Sequence, residues 1–333
     1  MKILVTGATG YIGQKLALEL ANQGNTVHAL VRNTSKAETL LNHPQIKLFA
    51  GDILDQKSIA AAMQGCEQVF HLAALASVWH KNSNAFYKIN VEGLKNVLEC
   101  CFELKIKNVL FTSTAGVVGD SKNGQPVAEL TNPNPKLETL YEKSKVAAEI
   151  LIKEFNKKGM RGIIVNPSRV YGPGLLTESN GFTRLLKMYI SGKWKIKPGD
   201  GNSIGNYVYI DDVVNGLVLA MQKARPGERY LLGGINISYN AFFNLVNQLT
   251  DVKRKLIPFP LPLMLFLSQI QLFMAKVFGK QPLITPPFVR KYNKHWIVSS
   301  AKAEKELGYT ITPLADGIKR TISWLSELET RKF

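Results

Sequence analysis

The chain has 333 residues, 45% apolar and 20% charged, which is enough apolar material for a large core and speaks against wholesale disorder. Its net charge of +17 favours anionic partners: phosphate-bearing cofactors, nucleotide-linked or carboxylate substrates, or anionic lipid. Nucleic acid is not expected as a partner, because Lys and Arg are spread along the chain with no zinc-finger or RNA-binding signature.

The N-terminus reads as a βαβ unit. Met1-Lys2 runs into the apolar Ile3-Leu4-Val5, a buried parallel strand, and Gly7 breaks the stretch too early for a leader peptide. The run Gly7-Ala8-Thr9-Gly10-Tyr11-Ile12-Gly13 follows. Leu16, Ala17 and Leu20 then recur at helical spacing until Gly24, and Val27 to Val31 gives a second strand. Gly7 allows a tight turn, Gly10 lets the backbone approach a pyrophosphate, and Gly13 lets the helix pack close to the strand. The helix N-terminus then offers free N–H groups to phosphate.

The end of the second strand chooses between cofactors. An NAD site usually has a carboxylate there, about 20 residues past the glycines, to hold the ribose hydroxyls. This chain has Arg32, with Lys36 following, so NADP is favoured: a guanidinium grips a 2′-phosphate that a carboxylate would repel. A third strand through Lys47 to Ala50 leads to Gly51-Asp52-Ile53, where a carboxylate beside an apolar residue can hold an adenine. The cysteines are Cys66, Cys100 and Cys101. They form no CxxC pair and suit neither a metal site nor a normal disulfide, so reduced thiols in a cytoplasmic protein are expected.

Further motifs follow in a fixed order: His71-Leu72-Ala73-Ala74, Asn90-Val91-Glu92-Gly93, Ser113-Thr114, Tyr141-xxx-Lys145, Pro167-Ser168-Arg169-Val170-Tyr171-Gly172-Pro173 and Tyr209-Ile210-Asp211-Asp212-Val213. With the glycine run and Gly51-Asp52, the chain resembles the extended short-chain dehydrogenase/reductase (NAD-dependent epimerase/dehydratase) family over nearly its full length. Within the family it resembles the dihydroflavonol-reductase-like branch and the related hopanoid-associated sugar-epimerase-like proteins. The resemblance implies a Rossmann-type doubly wound parallel α/β sheet with a smaller interleaved C-terminal substrate lobe. Residues 1–170 would form the NADP-binding domain, with returning elements at about 206–235; 171–205 and 236–333 would form mainly the lobe. Tyr207 to Ile210 and Tyr230 to Leu232 are the expected returning strands.

Tyr141 and Lys145 share one helix face, and an ammonium there is expected to lower the phenol's pKa from about 10 towards neutrality. The resemblance places the catalytic hydroxyl at Thr114, with Ser113 as the alternative one register away. It assigns Lys145 to the nicotinamide ribose as well, and places Gly7, Gly10, Tyr11, Ile12, Gly13, Arg32, Lys36, Asp52, Ile53, His71, Ala73, Tyr141 and Pro167 along the cofactor. The expected reaction is NADPH-dependent reduction of a small-molecule carbonyl, with Tyr141 as proton donor. A nucleotide-sugar epimerase/dehydratase that recycles its cofactor is the alternative. A non-catalytic cofactor-binding subunit or sensor is disfavoured by the intact Thr114, Tyr141 and Lys145. Val118 stands where sugar-modifying relatives commonly carry a tyrosine, which with Trp79 and His80 suits a greasier substrate. A homodimer through the helix near Val91 to Leu104 and the helix of Tyr141 is also implied.

The last predicted element runs from Ile257 to Phe278. Pro262 suits its start and Gly279 its end. Ser268, Gln269, Gln271 and Lys276 interrupt its apolar run and argue against a membrane span. Two readings remain: a helix buried in the lobe and lining a lipophilic pocket, which is preferred, or peripheral contact with a membrane. Lys253, Arg254 and Lys255 before it, and Arg290, Lys291 and Lys294 after it, support the second.

Overall fold

The computed structural model describes residues 1–330 except 133, 251 and 253. The strands, numbered in chain order, are β1 (Lys2–Thr6), β2 (Thr26–Val31), β3 (Ile46–Ala50), β4 (Gln68–His71), β5 (Asn108–Thr112), β6 (Arg161–Pro167), β7 (Arg169–Tyr171), β8 (Ile196–Pro198), β9 (Ile204–Tyr209), β10 (Arg229–Leu232), β11 (Ile235–Ser238) and β12 (Ile257–Phe259). Among the described residues, seven of them form one sheet in the order β10-β6-β5-β4-β1-β2-β3. Every pairing in it is parallel. Helices cover both faces, as the absence of edge-type alternation in these strands demands: Ile3 and Val5 feed one apolar cluster and Leu4 the other. This is the Rossmann-type α/β fold.

The strand order reverses between β1 and β4. The turns leaving these two strands therefore diverge and leave a crevice at the carboxyl ends of the sheet. The glycine turn leaves β1 there, His71 ends β4, and Thr112 ends β5.

β10 takes the outer position of the sheet, but β9 does not join it. The strand expected to return at Tyr207 to Ile210 pairs instead with β7 and, antiparallel, with β11 in a separate three-stranded sheet. Its inward aromatics explain the choice: Tyr207 packs on Phe182 and Phe242, and Tyr209 on Tyr171. The helix after it, Ile210–Lys223, returns to pack against β5 and β6.

The helix Leu261–Phe278 follows β12 and ends at Gly279, whose φ of +69° closes it in a left-handed cap. The preferred expectation of a buried helix is overturned. Only 11% of it is buried, and Phe266, Phe273 and Phe278 face outward.

Candidate active site

The helix Leu140–Lys157 presents Tyr141 and Lys145. Its start is fixed by a capping box. The Thr139 hydroxyl accepts from Glu142 N at 3.2 Å, and Glu142 accepts from Thr139 N at 3.0 Å. Lys291, from the helix Pro286–Tyr292, forms an ion pair with the buried Glu142. The C-terminal lobe is thereby pinned one residue from Tyr141.

Lys145 is buried beneath this helix. Its Nζ donates to the Thr112 carbonyl oxygen at 2.8 Å, and lies 4.6 Å from the Phe111 ring centroid and 5.9 Å from that of Tyr141. Burial lowers its pKa to about 7, against a smaller upward pull from Glu149. Burial also raises the Tyr141 phenol well above its ordinary value, and the Glu142 carboxylate adds to this. The expected acidification of Tyr141 by Lys145 is therefore not what the site shows: burial and Glu142 both push the phenol upward.

His71 stacks on Phe111, and its Nδ1 meets the Thr6 hydroxyl at 2.9 Å. Burial, with Lys145 nearby, lowers its pKa to about 3, so the ring is neutral. Among the described residues its Nε2 is buried without a partner, as are Thr112 Oγ1 and Ser113 Oγ. Thr114 is half-buried and its Oγ1 accepts from Gly116 N at 3.2 Å. Asn166 donates to the Thr114 carbonyl at 3.0 Å and to Glu149 at 2.8 Å, which holds this turn against β6.

The glycine turn is tight enough to exclude any side chain. A Cβ on Gly13 would sit 2.1 Å from the Gly7 carbonyl oxygen, and one on Gly7, at φ +73°, would sit 2.6 Å from Ala73 N. Among the described residues no side chain caps the helix Tyr11–Asn22, so its first N–H groups are left for a ligand. Tyr11 and Ile12 bring only main-chain groups to that end. The Tyr11 phenol donates instead to Gly172 O at 3.0 Å, tying the lobe to the sheet, and Ile12 packs on the core. Arg32 and Lys36 are exposed just beyond β2, and among the described residues neither has an ion pair. Asp52 accepts from Leu54 N at 2.9 Å; Ile53 is buried against Gly93. Ala73 N donates to Thr6 Oγ1 at 3.3 Å, and Pro167 is buried at the end of β6.

A glycine cradle that a Cβ would fill, an uncapped helix end, unpaired cations beyond β2 and three orphaned polar atoms at the sheet's carboxyl end fit a nicotinamide dinucleotide.

Tyr141 opens into a cavity of about 270 Å³ whose accessible wall is mostly apolar, formed by Val78, Trp79, Phe86, Leu140 and Leu272 among others. Neither Thr114 nor Ser113 is among its lining residues. Val118 lies in a separate apolar cluster with Val127, Leu231 and Val298, so the missing tyrosine there says nothing about the substrate.

Sequence reasoning quoted Asn90 in a motif without giving it work. It is buried, donates to Ser144 Oγ at 2.9 Å, and accepts from Leu75 N at 2.7 Å. Ser144 in turn donates to Tyr141 O at 2.8 Å. Asn90 thus locks the loop of Trp79 onto the helix of Tyr141. The signal available was an Asn inside an apolar helical run, where such a side chain needs a buried partner.

The family model of the NAD dependent epimerase/dehydratase family matches residues 3–233. The chain is 30% identical to a putative dihydroflavonol 4-reductase of Synechocystis sp., over 96% of this chain and 93% of that one. It is 28% identical to the 3beta-hydroxysteroid-dehydrogenase/decarboxylase isoform 1 of Arabidopsis thaliana, over 98% and 80%. The solved UDP-glucose 4-epimerase of Thermotoga maritima superposes with a TM-score of 0.81 at 24% identity, covering 99% of this chain and all of that one. The chain therefore belongs to the NAD dependent epimerase/dehydratase family, the extended branch of the short-chain dehydrogenases/reductases. Within that class it is an oxidoreductase-type chain similar to reductases, sterol dehydrogenases and epimerases alike.

Proposed function

We propose that this chain is an NADPH-dependent reductase of a ketone on a hydrophobic small molecule. The observation that carries the reading is Tyr141 in the wall of a mostly apolar cavity. A bound nicotinamide dinucleotide supplies the hydride. Tyr141 Oη donates the proton to the substrate oxygen, and an ordinary phenol is already in the donating form at neutral pH. Lys145, held by the Thr112 carbonyl, fixes the floor of the site. The hydroxyl of Thr114, half-buried outside the lining of that cavity, is assigned to the substrate oxygen by the family resemblance alone, with Ser113 as the alternative. The glycine turn and the uncapped helix end hold the cofactor's pyrophosphate, and Arg32 with Lys36 its 2′-phosphate.

The sterol relative supports a polycyclic or otherwise lipophilic substrate, and the dihydroflavonol reductase relative supports ketone reduction. A nucleotide sugar fits the cavity less well, because Lys276 is its one Lys or Arg among the described lining residues.

The test is cofactor consumption by the purified chain with lipophilic ketones. One NADPH is expected to be consumed per product. Tyr141→Phe should lower turnover by about 10²–10⁴-fold with NADPH affinity nearly intact. Arg32→Asp should weaken NADPH much more than NADH. Interconversion of sugar nucleotides without net NADPH loss would establish the epimerase instead.

A further inference from the structure

The helix Leu261–Phe278 is packed inside out. Its buried residues are Ser268 and Ala275, one polar and one small. Leu263, Phe266, Ile270, Phe273 and Val277 recur every three or four residues as one outward stripe, 43% to 65% exposed. Gln271 Oε1 accepts from Leu283 N at 2.9 Å, which sets Leu283, 87% exposed, beside the same helix. A surface of this kind on a protein is normally covered by something.

The charge around it identifies the cover. From Val252 to Ala303, 52 residues contain no Asp or Glu and nine Lys or Arg. Three of the cations expected to frame the helix are already used: Arg290 and Lys294 pair with Glu138, and Lys291 with Glu142. Lys253 lies outside the described residues. Lys255, Lys276 and Lys280 are exposed, and among the described residues none has an ion pair. In sequence they stand ahead of β12, on the last turn of the helix and just past its end. A second copy of the chain would set these lysines against their own copies on a molecule of charge +17. An anionic bilayer would satisfy both the apolar stripe and the lysines.

By length and composition the helix is apolar enough to cross a membrane, with a mean hydropathy of 1.6. Its inner side, however, packs on the helix Pro286–Tyr292, and its Leu272 and Lys276 wall the cavity of Tyr141. A helix that is part of the lobe wall lies along a bilayer rather than through it.

We propose that Leu261–Phe278 is an in-plane anchor that docks the protein on an anionic membrane surface. Phe266, Phe273 and Phe278 enter the acyl boundary, and Lys255 and Lys280 meet the headgroups. Docking sets the cavity of Tyr141 against the phase in which a lipophilic substrate dissolves. The docking itself does not rest on the reductase reading.

The full chain is sedimented with vesicles of phosphatidylcholine alone and of phosphatidylcholine with phosphatidylserine. Binding to the anionic vesicles is expected to be at least about tenfold tighter, and to weaken with salt. The triple variant Phe266→Ser, Phe273→Ser, Phe278→Ser should lose about tenfold or more of that binding with an unchanged melting temperature. Lys255→Glu with Lys280→Glu should lose the preference for anionic vesicles. Equal sedimentation of wild type with and without vesicles would overturn the proposal, as would triple-variant binding equal to wild type. Resistance to alkaline extraction would show a span, and self-association lost in the triple variant without vesicle binding would show a second copy; either overturns it. None of these readouts uses turnover, so failure here leaves the reductase reading standing, and an inactive chain leaves docking standing.

Discussion

Lys145 sits where burial and function pull in opposite directions. Its pKa falls from 10.5 in the unfolded chain to about 7 in the fold, because the ammonium is desolvated beside Phe111 with one carbonyl as its hydrogen-bond partner. Between these values the unfolded chain holds a proton that the folded chain has released. Stability through this residue therefore rises with pH from about 7 to 10.5, and the full penalty is felt below 7. Lys145→Met removes the titration but also orphans the Thr112 carbonyl, a cost that does not vary with pH. The melting temperature of the cofactor-free variant minus that of wild type is thus expected to be largest near pH 6 and to fall steadily towards pH 9.5. A difference that is flat with pH would show that Lys145 stays charged in the fold. The spacing of Tyr141 and Lys145 was legible because four residues on a helix fix a shared face. The acid–base balance was not, because it depends on Phe111, Thr112 and Glu149, which only folding brings around the amine. Asn90 and Asn166 were missed for the same reason: their partners lie 54 and 52 residues away.

At the level of elements, local periodicity placed the βαβ start and the ends of the helix Leu261–Phe278 with little error, since glycine and proline act within one turn. It could not orient that helix. A segment apolar on all sides carries no moment, so nothing in it says which face meets the lobe. Nor could it place β9, whose sheet is chosen by aromatics from β7 and the helices Gly181–Ile190 and Tyr239–Leu249. The tie between Lys291 and Glu142 is a further long-range element contact, spanning 149 residues. Glu142→Ala removes the reciprocal cap of the Tyr141 helix and leaves Lys291 unpaired in a mostly buried place. It is expected to cost about 3 kcal/mol in urea unfolding. Lys291→Met should cost less, because Glu142 keeps its bonds from Glu138 N, Thr139 N and the Thr139 hydroxyl. If both variants cost the same, the cap contributes nothing and the ion pair alone joins the lobe to the site.

At the scale of the whole molecule, two helical surfaces among the described residues leave large apolar side chains uncovered. The stripe on Leu261–Phe278 is long, framed by unpaired lysines and suited to a bilayer. The other uncovered face lies on the helices Gly93–Glu103 and Leu140–Lys157, which pack side by side. Phe102 and Ile150 are 55% and 52% exposed there. Lys95 is paired to Glu99 on the first helix, while Lys143, Lys153 and Lys157 on the second are exposed and, among the described residues, in no ion pair. Two antiparallel copies of this helix pair would form a self-complementary apolar bundle, and we propose the homodimer through it. A stable dimer of this kind buries roughly 800 Å² on each partner, which two helices of these lengths can supply. Phe102→Glu with Ile150→Glu would place like charges opposite one another across the two-fold axis. Light scattering is expected to give a dimer for wild type and a monomer for the double variant, each with vesicle binding retained, since the anchor lies on another face. A wild-type monomer at working concentrations would remove this interface. A dimer that survives both glutamates but dissociates on Phe266→Ser, Phe273→Ser, Phe278→Ser would move it to the anchor helix.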